Sequence, residues 1–278
     1  MKKFYVINNE TKDPCRRTAG RISDYLMKRH ASCIVQETVG IYDDIPDDAD
    51  CVIVLGGDGT LLRASRNLVD KNIPFIGINL GTLGYLTEGD RNNVPEILER
   101  LLAGEYIIEE RMMLRGRVFS PDGTLTHEDV ALNDLTANRS RSLRVFSFKL
   151  YVNGEFLYMY TADGIIISTP TGSTAYNLSC GGPIVEPTAK LFLVTPIAPH
   201  SLNNRSLILS STDTIELEIL GNEKDVGSDT KYVAYFDGDS EAELVPGSRV
   251  EIRRADQVTK IVKLSTQSFL ETLRTKMS

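Results

Sequence analysis

The apolar positions along the chain fall into two textures. Over the first hundred residues, short apolar runs alternate with helical spacings. Residues 4–7, 33–35, 52–55 and 75–78 are continuous apolar runs, as strands buried on both faces read. Between them, residues 18–28 carry Ile22, Tyr25 and Leu26 at helical spacing, and residues 61–69 repeat the pattern. Residues 94–102 put Ile97, Leu98, Leu101 and Leu102 on one face, with Gly104 as the stop signal. Such alternation predicts a Rossmann-like α/β domain over residues 1–105, with a parallel sheet covered by helices.

From 106 to 254 the texture changes to β, and a mostly-β domain is expected. Residues 113–119 run into the turn Pro121-Asp122-Gly123. Residues 146–152 and 155–160 flank Asn153-Gly154, a strong hairpin signal. Residues 215–219, 232–236 and 250–253 read as further strands. The last segment, 255–278, holds a strand at 261–264 and a short helix at 269–276. The fold class expected is therefore α/β plus β.

Composition narrows the partners. With 278 residues the chain can form one large or two medium domains, and 41% hydrophobic with 25% charged residues is an ordinary globular balance. A net charge of −7 argues against nucleic acid or an anionic membrane as a partner, since both want a basic surface. Four cysteines, at 15, 33, 51 and 180, form no C-x-x-C pair and suit neither a zinc site nor a disulfide framework. Cys51, within an apolar run, reads as buried and reduced. The apolar stretch after Lys2 and Lys3 is too short for a signal peptide, and no apolar run is long enough to span a membrane. A cytoplasmic protein is expected. His30 and His127 read as surface residues, and no cluster has metal-ligand spacing, so no protein-held metal is expected.

Two loops carry candidate chemistry. Leu55-Gly56-Gly57-Asp58-Gly59-Thr60 directly follows an apolar strand, and a helical pattern starts at Thr60. Glycines let backbone N–H groups approach phosphate oxygens, and a helix N-terminus adds partial positive charge. A lone carboxylate there would repel phosphate unless it holds a phosphate-bound metal or accepts a proton from an attacking hydroxyl. The turn is neither a Walker A loop nor a dinucleotide G-x-G-x-x-G fingerprint. The second loop spans 161–182. After a short strand, the hydroxyl-rich run 168–174 leads into a short helix over 174–179. Its many neutral donors and acceptors suit ribose, an adenine edge or phosphate.

Residues 55–63, 76–88, Leu132-Asn133-Asp134, 161–182, Thr195-Pro196, Pro199-His200 and Asp237-Gly238, in this order, make the chain resemble the NAD kinase family. These enzymes phosphorylate the 2′-hydroxyl of the adenosine ribose of NAD to make NADP. The first block alone is shared with diacylglycerol and sphingosine kinases.

The resemblance implies a role for each matched residue. Asp58 is the general base for the ribose hydroxyl. Gly57 and Gly59 cradle phosphate together with Gly56, and Thr60 caps the helix or touches phosphate. Arg63, one helical turn on, either reaches the same anion or is an exposed helix residue. Asn133 and Asp134 end a strand and hold ribose hydroxyls. The family often has Glu at the second position, so Asp134 reaches one methylene less far. Arg144 offers a cation to substrate phosphate, with Arg141 as competitor. Asp163 contacts the nicotinamide side. Thr161, Thr171, Thr174, Ala175, Tyr176, Asn177 and Ser179 complete the pocket, Tyr176 either stacking on a base or packing in the core. His200 is an oriented loop residue.

The resemblance also makes residues 106–254 the NAD-binding domain and returns 255–278 to pack on the first domain. It implies ATP, or in some members polyphosphate, as donor, Mg²⁺ carried by the nucleotide, and a homodimer or homotetramer. A lipid kinase and a catalytically silent NAD(P) sensor are the alternatives. The first would want an apolar or basic docking surface, and intact Asp58, Asn133 and Asp134 argue against the second.

Overall fold

The computed structural model describes residues 1–9, 11–13, 16–36, 42, 45–81, 84–139, 146–200, 205–220, 232–264 and 268–277. The chain divides into two compact units. One comprises Met1–Arg111 with Gln257–Ser278, and the other Met112–Asp256.

The first unit alternates strand and helix: β1 (Lys3–Asn8), α1 (Arg17–Met27), β2 (Ser32–Val35), β3 (Cys51–Gly56), α2 (Asp58–Asn67), β4 (Phe75–Asn79), β5 (Thr87–Asp90) and α3 (Val94–Ala103). β4, β3, β1 and β2 lie side by side in that order, all parallel, and β5 adds in parallel to β4. Every residue of β3 is buried, as expected where helices cover both faces of a parallel sheet. Ile22 and Leu26 of α1 and Ile97, Leu98 and Leu101 of α3 pack in one core with Phe4, Val6, Ile53 and Leu55 of the strands. α3 ends where sequence places the stop: Gly104 takes the left-handed φ of 79° and its N–H closes the last turn.

The described residues of the second unit are β apart from a 3₁₀ turn, Thr171–Thr174, and one short helix. Its elements are β6 (Ile107–Phe119), β7 (Leu125–Ala131), β8 (Asp134–Arg139), β9 (Phe146–Val152), β10 (Glu155–Ala162), β11 (Gly164–Ser168), α4 (Tyr176–Ser179), β12 (Leu191–Ile197), β13 (Leu207–Ser210), β14 (Ile215–Ile219), β15 (Tyr232–Phe236), β16 (Ser240–Leu244) and β17 (Arg249–Lys263). One antiparallel sheet runs β13-β12-β11-β8-β15-β16. Another runs β10-β9-β14-β17, with β6 joining β17 to β7. Leu135, Ala137, Ile165, Ile167 and Phe236 of the first share one core with Phe146, Phe148, Leu150 and Leu217 of the second. The β9–β10 hairpin turns at Asn153 and Gly154, both at positive φ (54° and 81°), as a two-residue loop of the twist-matched type requires.

Several expectations change. The strands read at 250–253 and 261–264 are one fifteen-residue strand, β17. Its middle carries the exposed Arg253, Arg254 and Asp256, so the apolar signal lapses while the strand continues. The division between units falls within β6 and β17. The final stretch of β17 pairs in parallel with β4 at Ile261 and Phe75. There the buried Glu88 ion-pairs with Lys263 and accepts the Leu264 N–H at 2.9 Å. α5 (Phe269–Met277) closes the chain. His127 is half-buried against the Phe236 ring, 5.3 Å between centroids, where a surface position was expected. Cys51 is fully buried, and burial holds its thiol well above the ordinary range.

Candidate active site

The glycine turn closes β3 and opens α2. The helix starts at Asp58, two residues earlier than its apolar pattern shows, with Gly57 as its N-cap. Thr60 is therefore not a cap. Its hydroxyl receives the Asn9 amide N–H at 2.9 Å, and it lies so close over Gly56 that a Cβ there would sit 2.4 Å from its Oγ1. A Cβ on Gly57 would come within 3.2 Å of the Lys12 ammonium, and one on Gly81 within 3.6 Å. Lys12 thus stands over the turn as a cation that the motif did not announce. Nothing crowds Gly59, and Arg63 is exposed on α2.

The Asp58 carboxylate is pinned from a distant part of the chain. The Tyr85 N–H donates to Oδ2 at 2.7 Å and the Leu86 N–H to Oδ1 at 3.1 Å. Each oxygen keeps a further lone pair with which to accept a proton. Gly84 makes this possible, because a Cβ there would fall 1.8 Å from Oδ1.

In the second unit a cavity of about 400 Å³ is lined by Asn133, Asp134, Thr136, Asn138, Ala175, Tyr176, Tyr235, Asp237 and Gly238. Asn133 and Asp134 do not end a strand. They form the turn after β7, and Asp134 opens β8. The Asp237 carboxylate shapes that turn by accepting the N–H groups of Leu132 (3.0 Å), Asn133 (2.7 Å) and Asp134 (3.3 Å). Asp237 itself holds a left-handed φ of 52°, which Asp tolerates better than most residues. Among the described residues, neither the Asn133 amide nor the Asp134 carboxylate has a hydrogen-bond partner. Asp134 is 5% exposed, and burial first, then the neighbouring Asp237 charge, push its carboxyl up to about 7. Asn138 presents a buried Oδ1 with no partner among the described residues, while its Nδ2 donates to Thr136 Oγ1 at 3.2 Å. Gly164 leaves room for that oxygen, since a Cβ there would approach it to 2.0 Å.

The hydroxyl-rich run serves a different purpose from the one its composition suggests. Ser168, Thr169 and Ser173 are wholly buried. Ser168 donates to the Asn133 carbonyl at 3.2 Å, Thr169 to the Leu132 carbonyl at 2.5 Å, and Ser173 to the Val185 carbonyl at 3.1 Å. These hydroxyls fix the Asn133-Asp134 turn and their own loop. The expected helix over 174–179 is a 3₁₀ turn, Thr171–Thr174, then α4, broken at Ala175.

Ala175 and Tyr176 line the cavity, and Tyr176 is 44% exposed rather than packed in the core. Asn177 is fully buried. Its Nδ2 donates to the Ser173 and Pro183 carbonyls and its Oδ1 accepts from Thr195 at 2.7 Å, so it braces the loop. Thr171 is buried, Thr174 half-buried, and Ser179 exposed at the end of α4. Thr161, on β10, places its hydroxyl 3.3 Å from that of Ser147, and Asp163 is exposed between β10 and β11. None of these five residues lines the cavity. Arg144 and Arg141 lie outside the described residues. Sequence reasoning did not single out Lys12, Asn9, Gly84 or Asn138; only their neighbours in space reveal them.

Residues 6–106 match the ATP-NAD kinase N-terminal domain and residues 132–264 the ATP-NAD kinase C-terminal domain. The chain is 47% identical to the NAD kinase of Lachnospira eligens over 294 aligned positions, covering 100% of both chains. It is 44% identical to that of Agathobacter rectalis, covering 100% of this chain and 99% of the relative. Its fold is that of yeast NADH kinase complexed with NADH (TM-score 0.85, 24% identity, covering 99% of this chain and 87% of that one). It is also that of an NAD kinase from Archaeoglobus fulgidus in complex with ATP (TM-score 0.78, 23% identity, covering 99% and 98%). The fold and these relatives define a phosphotransferase. The chain belongs to the NAD kinase family.

Proposed function

We propose that this protein transfers the γ-phosphoryl group of ATP to the 2′-hydroxyl of the adenosine ribose of NAD, forming NADP and ADP. One observation carries the reading. The Asn133 amide and the buried Asp134 carboxylate line a cavity of about 400 Å³, and both lack a partner among the described residues. Buried polar groups without partners are costly, and vicinal ribose hydroxyls supply both donors and acceptors.

In this reading Asp58 accepts the hydroxyl proton as the new O–P bond forms and the bond to the ADP oxygen breaks. A carboxylate cannot make a free alkoxide in advance, which suits the loose transition state of phosphoryl transfer. Positioning supplies most of the effect, and the two N–H bonds to Asp58 provide it on the enzyme's side. Gly57, Gly59, Thr60, Arg63 and Lys12 attend the donor phosphates at the start of α2. Ala175 and Tyr176 bound the NAD site, Asp163 faces the nicotinamide side, and Thr161, Thr171, Thr174, Asn177 and Ser179 frame it. Mg²⁺, a hard cation that keeps oxygen ligands, would be carried by the phosphate oxygens of ATP.

We infer a homodimer or homotetramer. Support comes from Phe156, Leu157, Tyr158 and Met159, consecutive exposed residues on the edge strand β10. A cytoplasmic setting suits the free thiols of Cys33, Cys51 and Cys180. No helix among the described residues is long and apolar enough to cross a membrane.

The deciding assay supplies ATP, Mg²⁺ and NAD and reads product with an NADP-specific dehydrogenase. NADP should form only with all three present; its absence would refute the reading.

A further inference from the structure

A second cavity, also of about 400 Å³, lies wholly within the first unit, between α1 and the start of α3. Its apolar floor is Tyr25, Val94, Pro95 and Leu98, and Arg17, Arg21 and Arg91 stand around it. Neither Arg17 nor Arg21 has a hydrogen-bond or ion-pair partner among the described residues. Arg91 is held in place by donating to the Lys12 carbonyl at 2.5 Å. The one carboxylate in the lining, Asp13, is buried and accepts the Thr18 N–H at 2.9 Å.

This arrangement runs against local preference. Arg17 and Arg21 are four apart on one helix, so like charges face each other, which disfavours the helix. Arg17 is also the first residue of α1, whose first turn holds no acidic residue, so a cation sits where the helix dipole disfavours one. The chain as a whole carries −7, with 38 acidic residues against 31 Lys and Arg, yet none of the acids in the described residues pairs with this couple. Local choices that conflict with stability concentrate at functional sites.

We propose that this cavity binds a chain of phosphates, with Arg17, Arg21 and Arg91 each donating to phosphate oxygens. Guanidinium groups present planar pairs of N–H donors that match phosphate oxygens, and three around one cavity suit an anion of several charges. The apolar floor leaves the charge to the rim. The Lys12 residue whose carbonyl anchors Arg91 also places its ammonium at the Gly57 turn. The phosphates belong either to free polyphosphate or to a nucleotide.

The test is calorimetric titration of inorganic tripolyphosphate into the full-length protein and into the Arg17→Gln/Arg21→Gln double variant. Both side chains are exposed, so the apo melting temperature should not move, and NAD affinity should be unchanged. Tripolyphosphate affinity should fall about tenfold or more, as loss of two charge-assisted contacts implies. Arg21→Glu, which reverses the charge, should weaken it further. Equal tripolyphosphate binding by wild type and double variant would overturn the proposal. A parallel loss of ATP affinity in the same calorimetry would assign the phosphates to a nucleotide, and an unchanged ATP affinity to free polyphosphate. This inference does not depend on the assigned phosphoryl transfer: failure of NADP formation would leave the binding result standing.

Discussion

Gly84 stands where any side chain would strike Asp58: a Cβ on Gly84 would lie 1.8 Å from the carboxylate Oδ1. The same short segment supplies the Tyr85 and Leu86 N–H groups that hold that carboxylate. Gly84→Ala should therefore spare the fold, since a carboxylate at the end of a side chain can swing aside. It should lower kcat severely because Asp58 leaves its position. Steady-state kinetics beside a thermal melt will check this. A variant with full kcat would show that the observed carboxylate position does not matter to the reaction.

Asp58→Asn keeps shape and removes the base. General-base removal costs about 10²- to 10⁴-fold in rate, and kcat should fall by that order with little change in NAD affinity. Retention of more than about a third of the rate is too small a loss for a general base and would assign the proton to another group.

Asp237 gathers three backbone N–H groups at the Leu132–Asp134 turn. Asp237→Ala should cost about 1 to 3 kcal/mol or more, the typical penalty of unsatisfied buried donors, and should weaken NAD binding by loosening Asn133 and Asp134. Asp237→Asn retains an acceptor oxygen and tolerates the left-handed backbone, so it should restore part of both. Urea denaturation and calorimetry will separate the two variants; no loss in Asp237→Ala would remove the clamp from the account.

The carboxyl of Asp134 is raised from 3.8 to about 7 in the folded protein by burial and by Asp237. Between those values the native state holds a proton that the unfolded chain has released, so this group's contribution to stability is full below about pH 4 and is lost as pH rises through about 7. Asp134→Asn should remove that slope, and the stability difference between variant and wild type should grow in the variant's favour from pH 5 to pH 8. NAD binding, which favours the ionised carboxylate, should release protons near neutral pH, visible as a dependence of the calorimetric enthalpy on the buffer. A flat difference across this range would show that Asp134 is ionised throughout.

Ala175 lines the cavity at the break between the 3₁₀ turn and α4. Ala175→Leu should fill space meant for NAD, raising its dissociation constant strongly while leaving the apo melting temperature nearly intact. Overpacking a core position would instead cost about 1 to 3 kcal/mol. Lost stability with unchanged NAD affinity would take this loop out of the site.

The sequence by itself determined the alternation of strand and helix around β3, the Asn153-Gly154 hairpin, the Gly104 stop and the turn that carries Asp58. Each of these is written in neighbouring residues, through apolar periodicity or through backbone conformations that only certain residues adopt. It also pointed to Asn133 and Asp134 through the family motif. Tertiary structure decided what those residues meet. Gly84 and the N–H groups that hold Asp58 lie some 27 positions away from it in sequence, and Asp237 reaches the Asn133 N–H across 104 positions. The hydroxyls of Ser168, Thr169 and Ser173 look free as a string of letters, yet burial commits them to carbonyls of their own fold. Composition reports which groups can form hydrogen bonds. Which bonds form depends on burial and on the approach of distant segments, and only the folded chain sets those.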